Sequence, residues 1–523
     1  MQRRASNVDN AANLAQLLLF AEPGNDTHLY YFNDHKINRV QIRRAVMVLA
    51  SQLGQLLNPG DRIVICLNDS PSLVSIFLAA MAVGAVPTVI NPKCREQNLL
   101  SIMDDCLARV LVVGTESHLK LPAMPGVTVL CKPDDEQQVF SDFKLNTLVG
   151  EGDPGWSNFV QTERSQTCYL QYTSGSTGKP KGVIHTVDTT MGFCRAFAQN
   201  NLVLQESDLC YSVPKIFFGY GMGNSLFFPL MTGAAAVLDE RWPTPENIIE
   251  NILRYQPNVL FAVPAVYQML HDKKDNISGN IRLAVSAGSP LPQDEFEFWS
   301  DAGLEVCDGI GATEVGHIFL ANQPGQAKAG RTGKPLSEYE CVLLDTSGTV
   351  ITEPNRQGVL LVKGPGVSPG YFGLADKTTE RFTDGWYRTG DMFSCDGQGH
   401  YRYLGREDDL FKVNGRWVVP TLLEQRVCCH FDAIAEAVLT PSSRERDNVR
   451  STLFIVPNKD IPVDNKALKS WLKNEFESHM QPREIVLLAQ IPRNDNGKIM
   501  RSVLVNNACE LLKRETESPA LCD

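Results

Sequence analysis

Tyr172-Thr-Ser-Gly-Ser-Thr-Gly-Lys-Pro-Lys-Gly182 is the most informative stretch of this chain. Its glycines, Gly175, Gly178 and Gly182, permit close backbone approach and positive φ. Hydroxyls at Thr173, Ser174, Ser176 and Thr177 and the cations of Lys179 and Lys181 surround them. Exposed N–H groups combined with hydroxyl donors and cations make an anion cradle in the loop from Tyr172 to His185. The G-x-x-x-x-G-K-[ST] spacing of a Walker A loop is absent. A flexible Gly/Ser linker is the alternative, but a linker needs no such density of donors directly after a strand-like run.

Outward from this loop the chain alternates. Arg62 to Leu67 reads as a buried strand and Pro71 to Val83 as a helix. Short apolar runs follow at Pro87 to Ile90, Val110 to Val113 and Val127 to Leu130, and recur at Val259 to Val263 and Leu283 to Ser286. Such runs between helical segments predict parallel strands in α/β layers. From about Glu338 short alternating runs separated by glycine and proline predict an antiparallel β region. Beyond the charged cluster Arg406 to Asp409, strand-like Ala437 to Thr440, Leu453 to Val456 and Glu484 to Leu488 and helical Ala467 to Phe476 predict a separate α+β unit. The expected fold is therefore α/β: a large N-terminal domain over 1–407 and a small C-terminal domain over 408–523.

Composition fits this. The chain has 523 residues, 43% hydrophobic and 21% charged, which is enough for a sizeable core. A net charge of -11 repels phosphate backbones, so general nucleic-acid binding is not expected. The 14 cysteines form no C-x-x-C pair and read as reduced core residues. Leu17 to Phe20 is too short for a signal-peptide core, and the run Ile76 to Ile90 is broken by Gly84 and Pro87. A cytoplasmic protein without a membrane span is expected.

Further motifs are individually weak. In Asp308-Gly-Ile-Gly-Ala-Thr-Glu-Val-Gly-His317, Thr313 and Glu314 follow a strand-like run ending near Val306 and suit a phosphate oxygen and Mg²⁺; an ordinary strand–loop is the alternative. Asp384-Gly-Trp-Tyr-Arg-Thr-Gly-Asp391 ends in a carboxylate expected on a tight turn, as an Asx-turn former or a ribose-hydroxyl acceptor. Lys498 follows the rigid polar turn Pro492 to Gly497, though most lysines are solvated surface groups. Two glycine clusters mislead. Gly219, Gly221 and Gly223 nearly make a dinucleotide fingerprint, but its last position is Asn224. Gly366-Val-Ser-Pro-Gly370 matches a nucleophile elbow, yet Pro369 has no N–H for an oxyanion, so Ser368 is not expected to be a nucleophile.

In this order, YTSGSTGKPKG, GATE, GWYRTGD, GREDDLFK and the late NGK lysine resemble the adenylate-forming superfamily of acyl-CoA synthetases, adenylation domains and luciferases, over almost the whole chain. Lys215 to Asn224, Ser286 to Pro290 and Asp308 to Gly311 are similar to its benzoate–CoA ligase branch. Asn68 to Leu73, Gly192 to Ala198, Glu295 to Trp299 and Phe411 to Thr421 look like the bacterial anthranilate–CoA ligase family, which opens alkyl-quinolone signal biosynthesis.

The resemblance implies ATP, Mg²⁺ and coenzyme A as co-substrates or cofactors and an aromatic acid as substrate, with hand-off to a ketosynthase-like enzyme. It implies phosphate contacts from Thr173, Ser174, Gly175, Ser176, Thr177, Gly178 and Lys181, an α-phosphate contact from Thr313, and Mg²⁺ on Glu314. It places the nucleotide along Gly288, Ser289, Asp308, Gly309, Ile310 and Gly311, with ribose on Asp391 and Arg406. Ile310 stands where the family often has an aromatic against adenine. Asp408 would be the hinge of a mobile C-terminal domain, Lys498 the adenylation lysine, and Lys412, Asn414 and Gly415 the pantetheine tunnel. For the aryl acid, Phe218, Gly219, Tyr220, Ala287, Gly288, Ile310 and His317 suit a flat ring. Gly219 stands where benzoate-type ligases carry alanine, leaving room for an ortho substituent. His317 would accept from an ortho amine or steer the carboxylate. A benzoate–CoA ligase, a stand-alone adenylation enzyme loading a carrier protein, a non-catalytic nucleotide sensor and a kinase remain as alternatives.

Overall fold

A computed structural model describes residues 11–20, 27–114, 124–132, 157–174, 180–277, 279–442, 450–458, 461–493 and 499–508. The expected layers are present. Strands Val86–Val89, Arg62–Cys66, Ala108–Gly114 and Thr128–Lys132 form a four-stranded sheet, all neighbours parallel. Each strand is a short run of mostly branched side chains; the three other than Thr128–Lys132 are largely buried, as interior parallel strands are. Helix Pro71–Ala82 joins two of them. Ser70 caps it by accepting from the Leu73 N–H, and proline opens it where no N–H is needed. All twelve of its residues are buried, so it is a core helix. Among the described residues no helix is long and apolar enough to cross a membrane.

The nine-stranded sheet places the chemistry. Its order is Lys334–Pro335, Ile318–Ala321, Val306–Gly311, Leu283–Ser286, Val259–Ala262, Leu209–Ser212, Ala235–Val237, His28–Phe32, His35–Asn38. From Val306–Gly311 through His28–Phe32 neighbours run parallel. Tyr211, Leu260, Ala284, Val306, Tyr267 and Trp299 share its core on one side. Strands that run together deliver their carboxyl ends, and the loops after them, to a single edge, which is where open α/β sheets bind ligands.

The segment expected as a loop from Tyr172 to His185 is largely a hairpin. Thr167–Ser174 and Pro180–Thr186 pair antiparallel, with Tyr172 opposite Gly182. The alternating Val183 and His185 side chains are buried, and the strand pairing satisfies the backbone groups that a loop would leave open. Gly175, Ser176, Thr177, Gly178 and Lys179, and the Ser174 side chain, lie outside the described residues.

The β region after Glu338 is a five-stranded sheet of Glu340–Leu344, Gln357–Lys363, Trp386–Cys395, Phe382–Thr383 and Tyr401–Arg406. Two expectations are corrected in this part of the fold. Asp391 is not on a turn: it lies within strand Trp386–Cys395, opposite Arg406. The tight turn is Asp384–Gly385, with φ of 52° and 80°, earlier in the same motif. Likewise Val306 begins rather than ends its strand, which runs to Gly311.

The chain divides into two compact units, Met1–Cys341 with Leu361–Thr389, and Val342–Leu360 with Gly390–Asp523. This division falls before the expected boundary at 408, because Gly390 to Cys395 pairs with Tyr401–Arg406 and travels with it. The second unit contains the sheet Ile434–Pro441, Ser451–Pro457, Glu484–Leu487 and helices Pro420–His430 and Asn465–Glu475, around Leu423, Leu439, Leu453, Ile455 and Leu468. Among the described residues eleven cysteines are free, and six of them, including Cys66, Cys106 and Cys307, are buried.

Arg501 ties this unit together. Its guanidinium donates to both Glu424 oxygens at 2.8 and 2.7 Å and to the Leu439 carbonyl at 3.0 Å, and lies 3.3 Å from Asp409. Removing one partner of a buried pair strands the other charge. Arg501→Met is therefore expected to destabilise the protein by about 3–5 kcal/mol, measured by urea denaturation.

Candidate active site

Tyr371 joins two of the sequence motifs. Its hydroxyl donates to Glu314 Oε1 at 2.8 Å, and the Lys181 ammonium lies 5.2 Å from the centre of its ring. A cation over an aromatic face and a carboxylate on its hydroxyl thus share one side chain. The backbone reinforces the junction. Ile184 N–H donates to Gly370 O, Phe372 N–H to Gly182 O, and Ser368 N–H to Glu314 O. The Ser368 hydroxyl donates to Ile184 O at 2.7 Å while accepting from the Gly370 N–H. The serine of the apparent nucleophile elbow is therefore a staple between the hairpin and the Glu314 turn. Among the described residues Glu314 Oε2 receives no hydrogen bond. Magnesium binds through one or two carboxylates plus phosphate oxygens, so this half-buried carboxylate suits it.

Strand Val306–Gly311 carries Asp308, Gly309, Ile310 and Gly311, and the 3₁₀ turn Thr313–Val315 carries Thr313 and Glu314. Ile310 is partly exposed, and Gly311 is exposed. Asp308 is buried, and burial pushes its carboxyl well above the usual range against N–H groups of Gly309 and Leu291. Its Oδ1 has no hydrogen-bond partner among the described residues. Ala287 is buried, and Gly288 and Ser289 are exposed beyond strand Leu283–Ser286, Gly288 with φ of 87°.

The segment 214–223 is held from two sides. Asp69 is buried, and both its oxygens accept from the Ile216 N–H at 3.1 and 3.2 Å. Burial pushes its carboxyl up to about 6. On the other side a Cβ at Gly221 would overlap the Pro214 and Lys215 carbonyl oxygens, and one at Gly223 would overlap the His317 ring. Two of the three glycines that imitate a dinucleotide fingerprint, Gly221 and Gly223, are required by close packing instead. Phe218 packs on Phe217, and Tyr220 donates its hydroxyl to Val285 O at 3.1 Å.

His317 is enclosed by Phe193, Phe197, Phe228 and Tyr220, with ring centres 4.6 to 6.1 Å away. Its Nε2 is 3.2 Å from the Tyr220 carbonyl. A carbonyl only accepts, so Nε2 carries the proton and Nδ1 is the bare acceptor. Burial lowers its pKa to about 3.

In the second unit Arg406 donates to Asp391 Oδ1 at 2.9 Å, so the two expected ribose contacts are neighbours. Asp408 lies on an exposed turn. Lys412 belongs to the hairpin Phe411–Val413 and Arg416–Val418, whose Asn414–Gly415 turn has φ of 52° and 76°. Both positive values match the twist of a two-residue hairpin, which explains the Asn-Gly pair. Lys412 lies 4.8 Å from the Trp417 ring centre. Lys498 lies outside the described residues. Tyr371, Asp69 and Ser368 were not selected from sequence as site residues; Asp69 sits within the quoted Asn68 to Leu73 stretch and Ser368 within the elbow string.

The turn that carries Thr313 and Glu314, at the end of a strand of the nine-stranded sheet, is thus tied through Tyr371 and Ser368 to the hairpin Thr167–Ser174 and Pro180–Thr186. The sequence model of the AMP-binding enzyme family matches residues 20–372, more than half of the chain, and the chain belongs to that family. An anthranilate–CoA ligase of Pseudomonas aeruginosa is 51% identical over 505 residues, covering 95% of this chain and 96% of that protein. A benzoate–CoA ligase of Thauera aromatica is 33% identical over 473 residues, 88% of each. The crystal structure of the anthranilate CoA ligase AuaEII in complex with anthranoyl-AMP superposes with a TM-score of 0.86 at 26% identity, covering 98% of this chain and all of that one.

Unfolding would expose His317 to its ordinary pKa near 6.5, so the unfolded chain binds a proton that the fold refuses between about pH 3 and 6.5. Stability from this group is full above that window and lost as pH falls through it. Asp69 and Asp308 act with the opposite sign, so a difference isolates the histidine. Relative to His317→Gln, the protein should lose up to about 1.4 kcal/mol per pH unit on acidification from 6.5, read by urea denaturation. The His317 ring signals should not titrate between pH 5 and 8 by NMR.

Proposed function

We propose that this protein activates anthranilate with ATP and transfers the acyl group to coenzyme A. The observation that carries the reading is the Tyr371 junction, which holds Lys181 of the phosphate-cradle motif and Glu314 of the second motif on one side chain. In the first half-reaction a carboxylate oxygen of the acid bonds to the α-phosphorus of ATP. The bond from that phosphorus to the β-bridging oxygen breaks, and pyrophosphate leaves. In the second, the coenzyme A sulfur bonds to the acyl carbon, the acyl–oxygen bond breaks, AMP leaves, and the thiol proton passes to solvent.

Both steps gather negative charge on oxygen, so fixed positive groups and N–H donors supply most of the rate. Lys181 and the hairpin tip would hold the β- and γ-phosphates, and Thr313 the α-phosphate. Mg²⁺ on Glu314 would supply further neutralisation of phosphate charge. Asp391 and Arg406 would hold the ribose, Lys498 would bridge carboxylate and α-phosphate, and Lys412, Asn414 and Gly415 would line the path of the thiol arm once the chain turns about Asp408. The acid would lie among Phe218, Gly219, Tyr220, Ala287 and His317. The choice of anthranilate is supported by the relative that carries that name at 51% identity. In the cytoplasm, the thioester would pass to a ketosynthase-like condensing enzyme in the formation of alkyl-quinolone signals.

A panel of anthranilate, benzoate, salicylate and fatty acids, with AMP formation measured with and without coenzyme A, tests this. Anthranilate should give AMP and, with coenzyme A, the thioester. ADP formation, or an adenylate consumed only by a carrier protein, would overturn it. Lys498→Ala should slow adenylation by about 10²–10³ in ATP–pyrophosphate exchange while supplied anthraniloyl-AMP is still converted to thioester.

A further inference from the structure

We propose that Gln171 reads the ortho substituent of the acid: its Oε1 and the Gly316 carbonyl oxygen accept the two N–H groups of an ortho amine. The inference rests on the anthranilate reading above. Gln171 lies in strand Thr167–Ser174, ahead of the phosphate cradle, and is only 2% exposed. Its Nε2 donates to the Phe217 carbonyl at 3.5 Å. Because a carbonyl can only accept, this contact decides which end of the amide faces Phe217 and turns Oε1 the other way, toward Gly219.

A Cβ placed on Gly219 would lie 3.4 Å from Gln171 Oε1 and 3.5 Å from Gly316 O. The bare α-carbon therefore opens onto a gap bounded by two acceptors that come from different parts of the chain. Among the described residues neither oxygen receives a hydrogen bond. An amide oxygen and a backbone carbonyl can only accept, so the gap between them suits a group that brings N–H or O–H with it. An amine conjugated to an aromatic ring is uncharged at neutral pH and brings two donors. A methyl group of similar size brings none.

This changes the meaning of the missing methyl at position 219. An alanine there would make ordinary contacts, so the fold does not demand glycine, unlike at Gly221. The glycine leaves a space, and the lining of that space is chemically selective. His317 is the competing acceptor, but its ring is enclosed by aromatic side chains and packed on Gly223, whereas the two oxygens bracket the gap itself. Through the Nε2–H on Tyr220 O, His317 instead fixes the residue after Gly219.

The test compares kcat/KM for anthranilate, 2-methylbenzoate and benzoate in the full chain, in Gln171→Met and in Gly219→Ala. Methionine keeps the length of glutamine and removes the acceptor. It should lower the ratio of anthranilate to 2-methylbenzoate by about 2- to 12-fold, the range of one net hydrogen bond. Alanine at 219 fills the gap, so anthranilate and 2-methylbenzoate should fall together relative to benzoate. An unchanged anthranilate to 2-methylbenzoate ratio in Gln171→Met overturns the assignment, as does a Gly219→Ala enzyme that loses all three acids in step. These results leave the anthranilate reading standing. That reading fails separately, and the inference with it, if the unaltered protein forms no AMP with anthranilate.

Discussion

The hydrogen bonds of Ser368 and Tyr371 are the constraint on which the site depends. Two strands of a hairpin and the turn after a sheet strand are far apart in sequence, and neither has an intrinsic reason to hold a fixed distance from the other. The segment 366–372 supplies that reason with three backbone hydrogen bonds and two hydroxyls. The groups involved are buried or half-buried, where a lost hydrogen bond leaves an unsatisfied partner. Positioning to within a fraction of an ångström is what lets preformed charge act on a reacting phosphate.

The same region accepts polar burial that a purely structural core would avoid. Asp69, Asp308, His185 and His317 all lie inside, and each is shifted toward its uncharged form. Desolvation drives every one of these shifts. Asp69 spends its oxygens on one loop N–H, and His317 its proton on one loop carbonyl, and both fix the segment 216–220. Directional bonds of this kind set one loop conformation where apolar packing alone would allow several.

The layers were legible in the sequence because parallel strands buried on both faces appear as short apolar runs, and Arg62–Cys66, Ala108–Gly114, Val259–Ala262 and Leu283–Ser286 all do. The hairpin was less legible. Its first strand carries Gln171, Tyr172 and Thr173 and its second carries Lys181 and Gly182, so glycine and hydroxyl chemistry masked the pairing of the two neighbouring strands. Asp391 was misplaced because Asp384–Gly385 takes the turn and the motif then continues as a strand. Motif order pointed to Glu314, but it could not point to Tyr371, Asp69 or Gln171. Each is a single polar residue whose meaning comes from a partner 57, 147 or 46 positions away.

The glycines of segment 214–223 differ in what they allow. At Gly221 and Gly223 the neighbouring backbone or ring occupies the space of any side chain, so these positions are closed to change. At Gly219 the same space is vacant and its neighbours stand at ordinary contact distance. On the proposed reading, a lineage of such enzymes can explore new acids by small steps at one position while the surrounding frame stays fixed, and the route between substrate preferences is narrow but open.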